Sequence, residues 1–405
     1  MIKSNIFYQI APSFLNSILN IITFLLIAIF MSSKIGISFY GELATSLSFI
    51  GILYIFGDFG INHLFPKIVS RDRNIINKLS TYVSFLIILR LIWSIILSML
   101  LFLFYAESVL LASVLTIYLV SRLLNPEMIF KALENNLYIL SVNFLSKIFI
   151  LLMFINYDFT NKLLEESILI IALGNLFYCL ALFYKLFKSH QVYLTFSKDN
   201  FHLFQDSFNF FYPRLIFNLQ YHGSTFFVSL ILPFELVGIY ALAIEFFKAG
   251  QVLIGSVSTA YYVRTSFNRN FQNLITTTKY FLLVQLIFLP IFILYGNDLL
   301  QFFFTFDASI LFQILLIFYF FSPIVLVNSF WGYPFFSSID KEGIINKITI
   351  FSSISYFLFF ALLQLFNFMN IHTAILCIII ADIFGFIPRI YFIFTNRFFL
   401  FNTND

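Results

Sequence analysis

Apolar windows long enough to cross a bilayer recur about twelve times along this chain, with short polar connectors between them. A spanning helix needs about 20 such residues, because in hydrocarbon each segment has to pair its own backbone N–H and C=O groups. The windows run 7–30, 39–63, 79–104, 109–133, 137–155 and 163–186, then 208–232, 236–263, 280–295, 310–331, 344–366 and 371–394. Of the 405 residues, 61% are hydrophobic and 10% charged, against about 25% charged in soluble globular chains. The expected fold class is an all-α polytopic membrane protein of about twelve transmembrane helices. The first window is too long for a signal peptide and has no small-x-small cleavage site, so a retained first helix is expected. The net charge of +4 is small and unevenly placed, which gives nucleic acid no footprint. Cys179 and Cys377 both fall inside windows, which argues against a disulfide and offers no metal-ligand spacing.

Loop charges set an orientation. One side collects Lys3, Lys67, Arg71, Arg73, Lys78, Lys185, Lys188, Lys198, Arg264, Arg269, Lys279, Lys341, Lys347 and Arg397. The other holds Lys34 and Lys162 beside Glu107, Asp158, Glu165, Glu166, Glu235, Asp298 and Asp307. An error of one helix would scramble this separation, so the even count gains independent support and both termini are expected in the cytoplasm. A polar stretch divides the chain into an N-terminal six-helix bundle (1–187), a cytoplasmic connector (188–207) and a C-terminal six-helix bundle (208–405). Phe39-Tyr40-Gly41 opens the second window and Ile239-Tyr240-Ala241 the eighth, a weak internal repeat of the kind parallel-repeat transporters carry.

Charges inside the windows carry the functional expectation. A charge near mid-bilayer costs at least ~2.5–3.5 kcal/mol and tends to face a protein interior or watery cavity. Arg90, Arg122 and Lys147 lie deep in the third, fourth and fifth windows, and Arg214 and Lys248 add cations in the second half. Five cations on five helices suit an anion, which arginine grips bidentately and lysine attracts as a point charge. Pro126 cannot donate to the Arg122 carbonyl, so a kink is expected beside that cation. Asp58, Glu245 and Asp382 are the candidates for ion coupling, with Asp58 also placed to pair with Arg71 or Arg73, and His222 is a further titratable candidate. The bland reading applies to Glu127–Lys131 and Lys131–Glu134, spaced as a satisfied helix end, and to Glu245–Lys248, which can neutralise each other.

Several tracts resemble a known family. They are Phe39-Tyr40-Gly41, Gly57-Asp58-Phe59-Gly60, Gly238-Ile239-Tyr240 and above all Asn125-Pro126-Glu127 followed by Lys131, Glu134 and Asn135-Asn136-Leu137-Tyr138. The chain resembles the polysaccharide (O-antigen type) flippases of the multidrug/oligosaccharidyl-lipid/polysaccharide exporter superfamily. It departs from them at Met128, where Trp is common, and at Lys131-Ala132, where the family has Gln-Gly. The resemblance implies a MATE-like V of two six-helix bundles around a cationic cavity, working by alternating access. It implies a substrate, an undecaprenyl-pyrophosphate-linked oligosaccharide (an O-antigen or capsule repeat unit) moved from the cytoplasmic to the outer leaflet of a bacterial inner membrane. No enzymatic activity or cofactor is expected beyond H+ or Na+ coupling. The expected partners are the lipid-linked oligosaccharide, membrane lipids and a polysaccharide polymerase. The rivals are a cation-coupled drug antiporter of the same superfamily and a membrane polysaccharide polymerase or glycosyltransferase. An antiporter would lean on buried carboxylates where this chain buries cations, and the enzymes usually need outward loops longer than these.

Overall fold

The computed structural model describes residues 6–62, 75–133, 135–157, 163–190, 199–268, 272–339 and 341–395. Among them the regular structure is helical. The first unit in sequence carries α1 (Ile6–Lys34), α2 (Ile37–Asp58), α3 (Ile75–Phe104), α4 (Val109–Leu123), α5 (Glu127–Ala132), α6 (Asn136–Asn156) and α7 (Leu163–His190). There follow α8 (Asp199–Ser229), α9 (Phe234–Asn268), α10 (Gln272–Phe303), α11 (Ser309–Phe330), α12 (Tyr333–Ser338), α13 (Glu342–Leu365) and α14 (Ile371–Thr395). The short α5 and α12 continue α4 and α11 after a break, which leaves twelve long helical passages among the described residues. Eleven have the length and apolarity of a membrane span. The exception is α8, whose 31 residues reach about 46 Å at ~1.5 Å per residue but carry too many polar side chains. The chain is an all-α, multi-pass membrane protein.

Local chemistry sets the ends of these helices. Ile35 and Gly36 both donate to the Met31 carbonyl as α1 ends, with Gly36 at φ +127, a value L side chains rarely adopt. At the start of α14 the capping is reciprocal: Thr373 N donates to Asn370 Oδ1 at 2.9 Å, and Asn370 N to Thr373 Oγ1 at 2.8 Å. Two expected windows need correction. The ninth, placed at 280–295, is in fact a span from Leu274 to Phe303. Its polar start was hidden because Thr278 Oγ1 bonds back to the Leu274 carbonyl at 2.8 Å, so the helix carries its own polarity. The fourth, placed at 109–133, is interrupted between Leu123 and Glu127.

The chain divides into two compact units, one of residues 1–27 and 42–226, the other of residues 28–41 and 227–405. In the first, α4 packs on α3 and α7, and α6 on α5 and α7. Their shared core includes Val83, Leu86, Ile129, Phe130, Ile139 and Leu182. Here α1 is tied to α6 by amides, since Asn143 Nδ2 donates to Asn16 Oδ1 at 2.7 Å and to Asn20 Oδ1 at 3.1 Å. The first unit takes in α8. Phe211 stacks on Phe59 with centroids 4.9 Å apart, and Ser207 Oγ donates to the Phe59 carbonyl. Ser48 Oγ, on α2, donates to the His222 carbonyl and accepts from Phe226 N–H at 3.2 Å, a hydroxyl inserted into the α8 ladder.

In the second unit α9 packs on α11 and α12, α11 on α10 and α14, and α13 on α14. The corner between α1 and α2 belongs here. Gly41 lies so close to α9 that an added Cβ would sit 1.9 Å from the Phe234 carbonyl, and one on Gly238 would sit 2.2 Å from the Ile37 carbonyl. Without water to drive helices together, small residues that let backbones approach are what hold such crossings. This gives the glycines of the Phe39-Tyr40-Gly41 and Gly238-Ile239-Tyr240 tracts a physical role. Tyr40 and Tyr240 are both buried beside them. On α10 the apolar side chains point outward instead, Leu286, Ile287 and Leu294 among them, as a lipid-facing surface requires.

Gly41→Ala is expected to destabilise the protein by about 1–3 kcal/mol, since the obstacle is backbone. Gly250→Ala, where a new Cβ meets nothing, is expected to be neutral or slightly stabilising. Apparent melting temperatures of the two variants in detergent check this.

Candidate functional site

The Gly57-Asp58-Phe59-Gly60 tract is where α2 stops. Phe59 has φ +48 and Gly60 φ +78, two consecutive left-handed residues that turn the chain out of α2. Helix resumes at Ile61. Phe59 accepts the strain of a positive φ because its ring is held by stacking on Trp93, 5.9 Å between centroids, and on Phe211. Gly57 faces the Leu123 side chain, to which an added Cβ would come within 2.4 Å, so its bareness lets α2 lie against α4.

Asp58 meets Arg90. The guanidinium of Arg90, 1% exposed, donates through Nη2 to Asp58 Oδ1 at 2.8 Å and to Asn62 Oδ1 at 3.1 Å. Through Nη1 it donates to the Asn125 carbonyl at 2.7 Å. That last bond explains the interruption of the fourth span. Pro126 brings no N–H and ends α4 outright rather than kinking it. Asn125 Oδ1 then caps Glu127 N at 2.9 Å to start α5, and Asn125 N reaches back to the Arg122 carbonyl at 3.4 Å. The Asn125 carbonyl, freed from a helix ladder at membrane depth, accepts its hydrogen bond from Arg90. Broken helices survive in membranes where protein groups re-satisfy the backbone, and Arg90 is that group.

Arg122 is placed differently. It is half-buried, and its guanidinium carbon lies 4.7 Å from the Tyr54 ring centroid and 5.7 Å from that of Tyr118. No side-chain hydrogen bond or ion pair is made by Arg122 among the described residues. Lys147, also half-buried, lies within electrostatic range of Glu127 and of Arg122. Glu127 is itself bonded to Lys131 at 2.7 Å, the helix-end pair expected from the spacing. Among the described residues Lys131 and Lys147 thus share the one carboxylate of Glu127.

The remaining candidates separate from this group. Glu245 and Lys248 pair with each other at 2.8 Å on α9. Asp382, on α14, lies among Phe247, Phe318, Phe321 and Val325, and its carbonyl accepts from Asn328 Nδ2 at 2.9 Å. The side chain of Arg214 lies outside the described residues, as do Glu134 and the loop charges Lys3, Lys67, Arg71, Arg73, Asp158, Lys162, Lys198, Arg269 and Arg397. Asp58 is bonded to Arg90, and its pairing with Arg71 or Arg73 falls outside the described residues. Sequence reasoning passed over Tyr54, one turn before Asp58 on α2, and Asn62, just past the turn at Phe59-Gly60; their side chains bond each other at 2.8 Å.

Removing one partner of a buried ion pair strands the other charge, at about 3–5 kcal/mol. Asp58→Asn and Arg90→Leu are each expected to destabilise strongly. The double variant Asp58→Leu/Arg90→Leu should lose much less than the sum of the two, which chemical or thermal unfolding of the purified proteins measures as a double-mutant cycle.

Comparison with known proteins adds three findings. The model of a family described as polysaccharide biosynthesis protein matches residues 2–263. No curated protein matches the sequence. Solved structures share the fold along almost the whole chain. A lipid II flippase, MurJ, in an inward closed conformation superposes with a TM-score of 0.74 at 16% identity, over 97% of this chain and 88% of that one. An inward-facing multidrug resistance MATE family transporter of the MOP superfamily gives 0.70 at 13% identity, over 96% of each chain. A MOP superfamily transporter from Pyrococcus furiosus, whose binding pocket is described as of reverse polarity, gives 0.63 at 14% identity over 98% and 96%. At these identities the likeness concerns the fold. With its helical passages, its buried Arg90 knot and a family model matching more than half its length, the chain belongs to the polysaccharide biosynthesis protein family and has the fold of the MOP superfamily transporters.

Proposed function

We infer that the protein is a flippase carrying a prenyl-pyrophosphate-linked oligosaccharide from the cytoplasmic to the outer leaflet by alternating access. The observation that carries this reading is Arg122, a membrane-embedded cation with no counter-ion among the described residues. Its neighbour Lys147 shares its one carboxylate with another lysine. An uncompensated cation in a span is expensive unless something anionic visits it. A pyrophosphate is dianionic or more and cannot cross hydrocarbon without replacing its hydration. The rings of Tyr54 and Tyr118 hold the Arg122 guanidinium by cation–π attraction and leave its donors for phosphate oxygens. The prenyl tail stays in lipid throughout.

Arg90 plays another part in this reading. Its two Nη groups are bonded to Asp58, Asn62 and Asn125, so it positions the break that presents Arg122. The drug-cation antiporter reading is weakened on the same ground, because Asp58 and Glu245 are each bonded to a cation. Ion coupling by Asp382, and contacts of Arg214 and Lys248 with substrate, belong to this proposal as second-half elements. In this reading the membrane is a bacterial inner membrane, both termini lie on the cytoplasmic side where the loop cations collect, and a polymerase takes the flipped product at the outer leaflet.

Purified protein in sealed vesicles, with a prenyl-pyrophosphate oligosaccharide and an impermeant sugar-modifying enzyme outside, tests the reading. Active protein should render the protected half of the lipid accessible, and an imposed proton or sodium gradient should identify the coupling ion. Arg122→Ala is expected to slow this at least about tenfold, the scale of one charged hydrogen bond. Arg122→Lys should recover only part, because lysine offers charge without the planar fork. Lengthening of the sugar chain without any change in accessibility would mark an enzyme instead.

A further inference from the structure

Within the first unit lies a cavity of about 190 Å³ lined by Tyr54, Ile55, Asp58, Asn62, Asn218 and His222, with Phe211 and Leu215 on its apolar side. At ~30 Å³ per water it holds about six waters, which is roughly the room of one sugar ring. Its chemistry is unlike that of the Arg122 site. Asp58 brings a carboxylate to the lining, and the Arg90 guanidinium at 2.8 Å balances it, so the described lining offers polarity without net charge. Asn62 and Tyr54 are bonded to each other and to the Arg90 knot, which fixes their orientation. Asn218, on α8, is half-buried and makes no side-chain hydrogen bond among the described residues. It presents an oriented donor pair and an acceptor with nothing yet to bind.

Amides, a carboxylate and an imidazole opposite aromatic rings match a neutral polyhydroxyl ring, whose hydroxyls need planar partners and whose C–H faces need apolar ones. Among the described residues an anion would find no excess cation here, and a metal ion would find its carboxylate already shared with arginine. Location supports the same ligand. Tyr54 is common to both sites, lining the cavity while Arg122 lies over its ring at 4.7 Å. In a lipid-linked glycan the first sugar is bonded directly to the pyrophosphate, so an anion site and a sugar site have to be neighbours. We propose that this cavity binds the first, neutral sugar of the lipid-linked substrate, with Asn218 as its free hydrogen-bonding group. The assignment rests on the flippase reading for its ligand.

Two measurements on the full-length protein test it. In vesicles, the rate for a prenyl pyrophosphate bearing an oligosaccharide is compared with that for the sugarless prenyl pyrophosphate. Asn218→Leu should lower the ratio of the two rates about tenfold, whereas Asn218→Gln, which keeps the amide, should restore most of it. Equal effects on both lipids would overturn the proposal. In nanodiscs, free glucose, galactose and N-acetylglucosamine are titrated by saturation-transfer NMR. At least one should bind saturably to the wild type and about tenfold more weakly to Asn218→Leu. Sodium binding that the same substitution abolishes, with no sugar bound, would make the cavity a cation site and overturn the proposal. Absence of flipping by the wild type would overturn the flippase reading, and the sugar titration would then decide the cavity by itself.

Discussion

A broken helix at membrane depth leaves backbone carbonyls that no water can reach, and the first unit is arranged around the repair of one such break. The Arg90 guanidinium satisfies the Asn125 carbonyl, and the charge it brings is balanced by Asp58 at the end of α2. Each member of this knot makes sense only with the others. Without Pro126 there is no orphan carbonyl; without Asp58 the arginine is a stranded charge; without the left-handed turn at Phe59 and Gly60 the chain would not leave α2 just beyond the carboxylate. Buried ion pairs often add little net stability compared with apolar packing. What this pair contributes is a fixed geometry in which three helices and a break hold one arrangement.

That arrangement divides the labour among cations that look alike in the sequence. Arg90 and Arg122 are both arginines deep in apolar windows with no carboxylate one turn away. The fold gives one of them a carboxylate, an amide and a carbonyl, and gives the other two tyrosine faces. Lone charges on separate helices therefore cannot be ranked by depth alone, because their partners come from elsewhere in the chain. Asp58 illustrates the same point: Lys67 is its nearest lysine or arginine in sequence, yet the cation shown bonded to it is Arg90, 32 residues away.

Much of the architecture was legible because hydrocarbon leaves few options: long apolar windows have to be helices, and the third window coincides with the span found, Leu79–Phe104. Short-range pairs were legible for the same kind of reason, as Glu127–Lys131 and Glu245–Lys248 show. Legibility ended where polar residues hide their polarity by long-range contact. Thr278 bonds its own helix, so α10 extends past its apolar window, and the polar side chains of α8 obscure its association with α2. The Tyr54–Asp58 spacing on α2 was open to a helical-wheel argument, but Asn62 joins them only across the left-handed turn at Phe59 and Gly60. Asn218 was not, since nothing local marks an amide as unpartnered.

The glycine crossing of α2 and α9 bears on how the chain is made. Residues 28–41 find their packing partners on α9, which leaves the ribosome long after them. During synthesis the corner between the first two helices is inserted early but stays unfinished, with its bare Gly41 backbone turned to lipid. Only when the Phe234–Gly238 stretch arrives can it close. The last step of assembly thus brings the oldest part of the chain against one of its younger parts, and a chain cut off before α9 would keep an open, sticky helix surface that quality-control proteases could recognise.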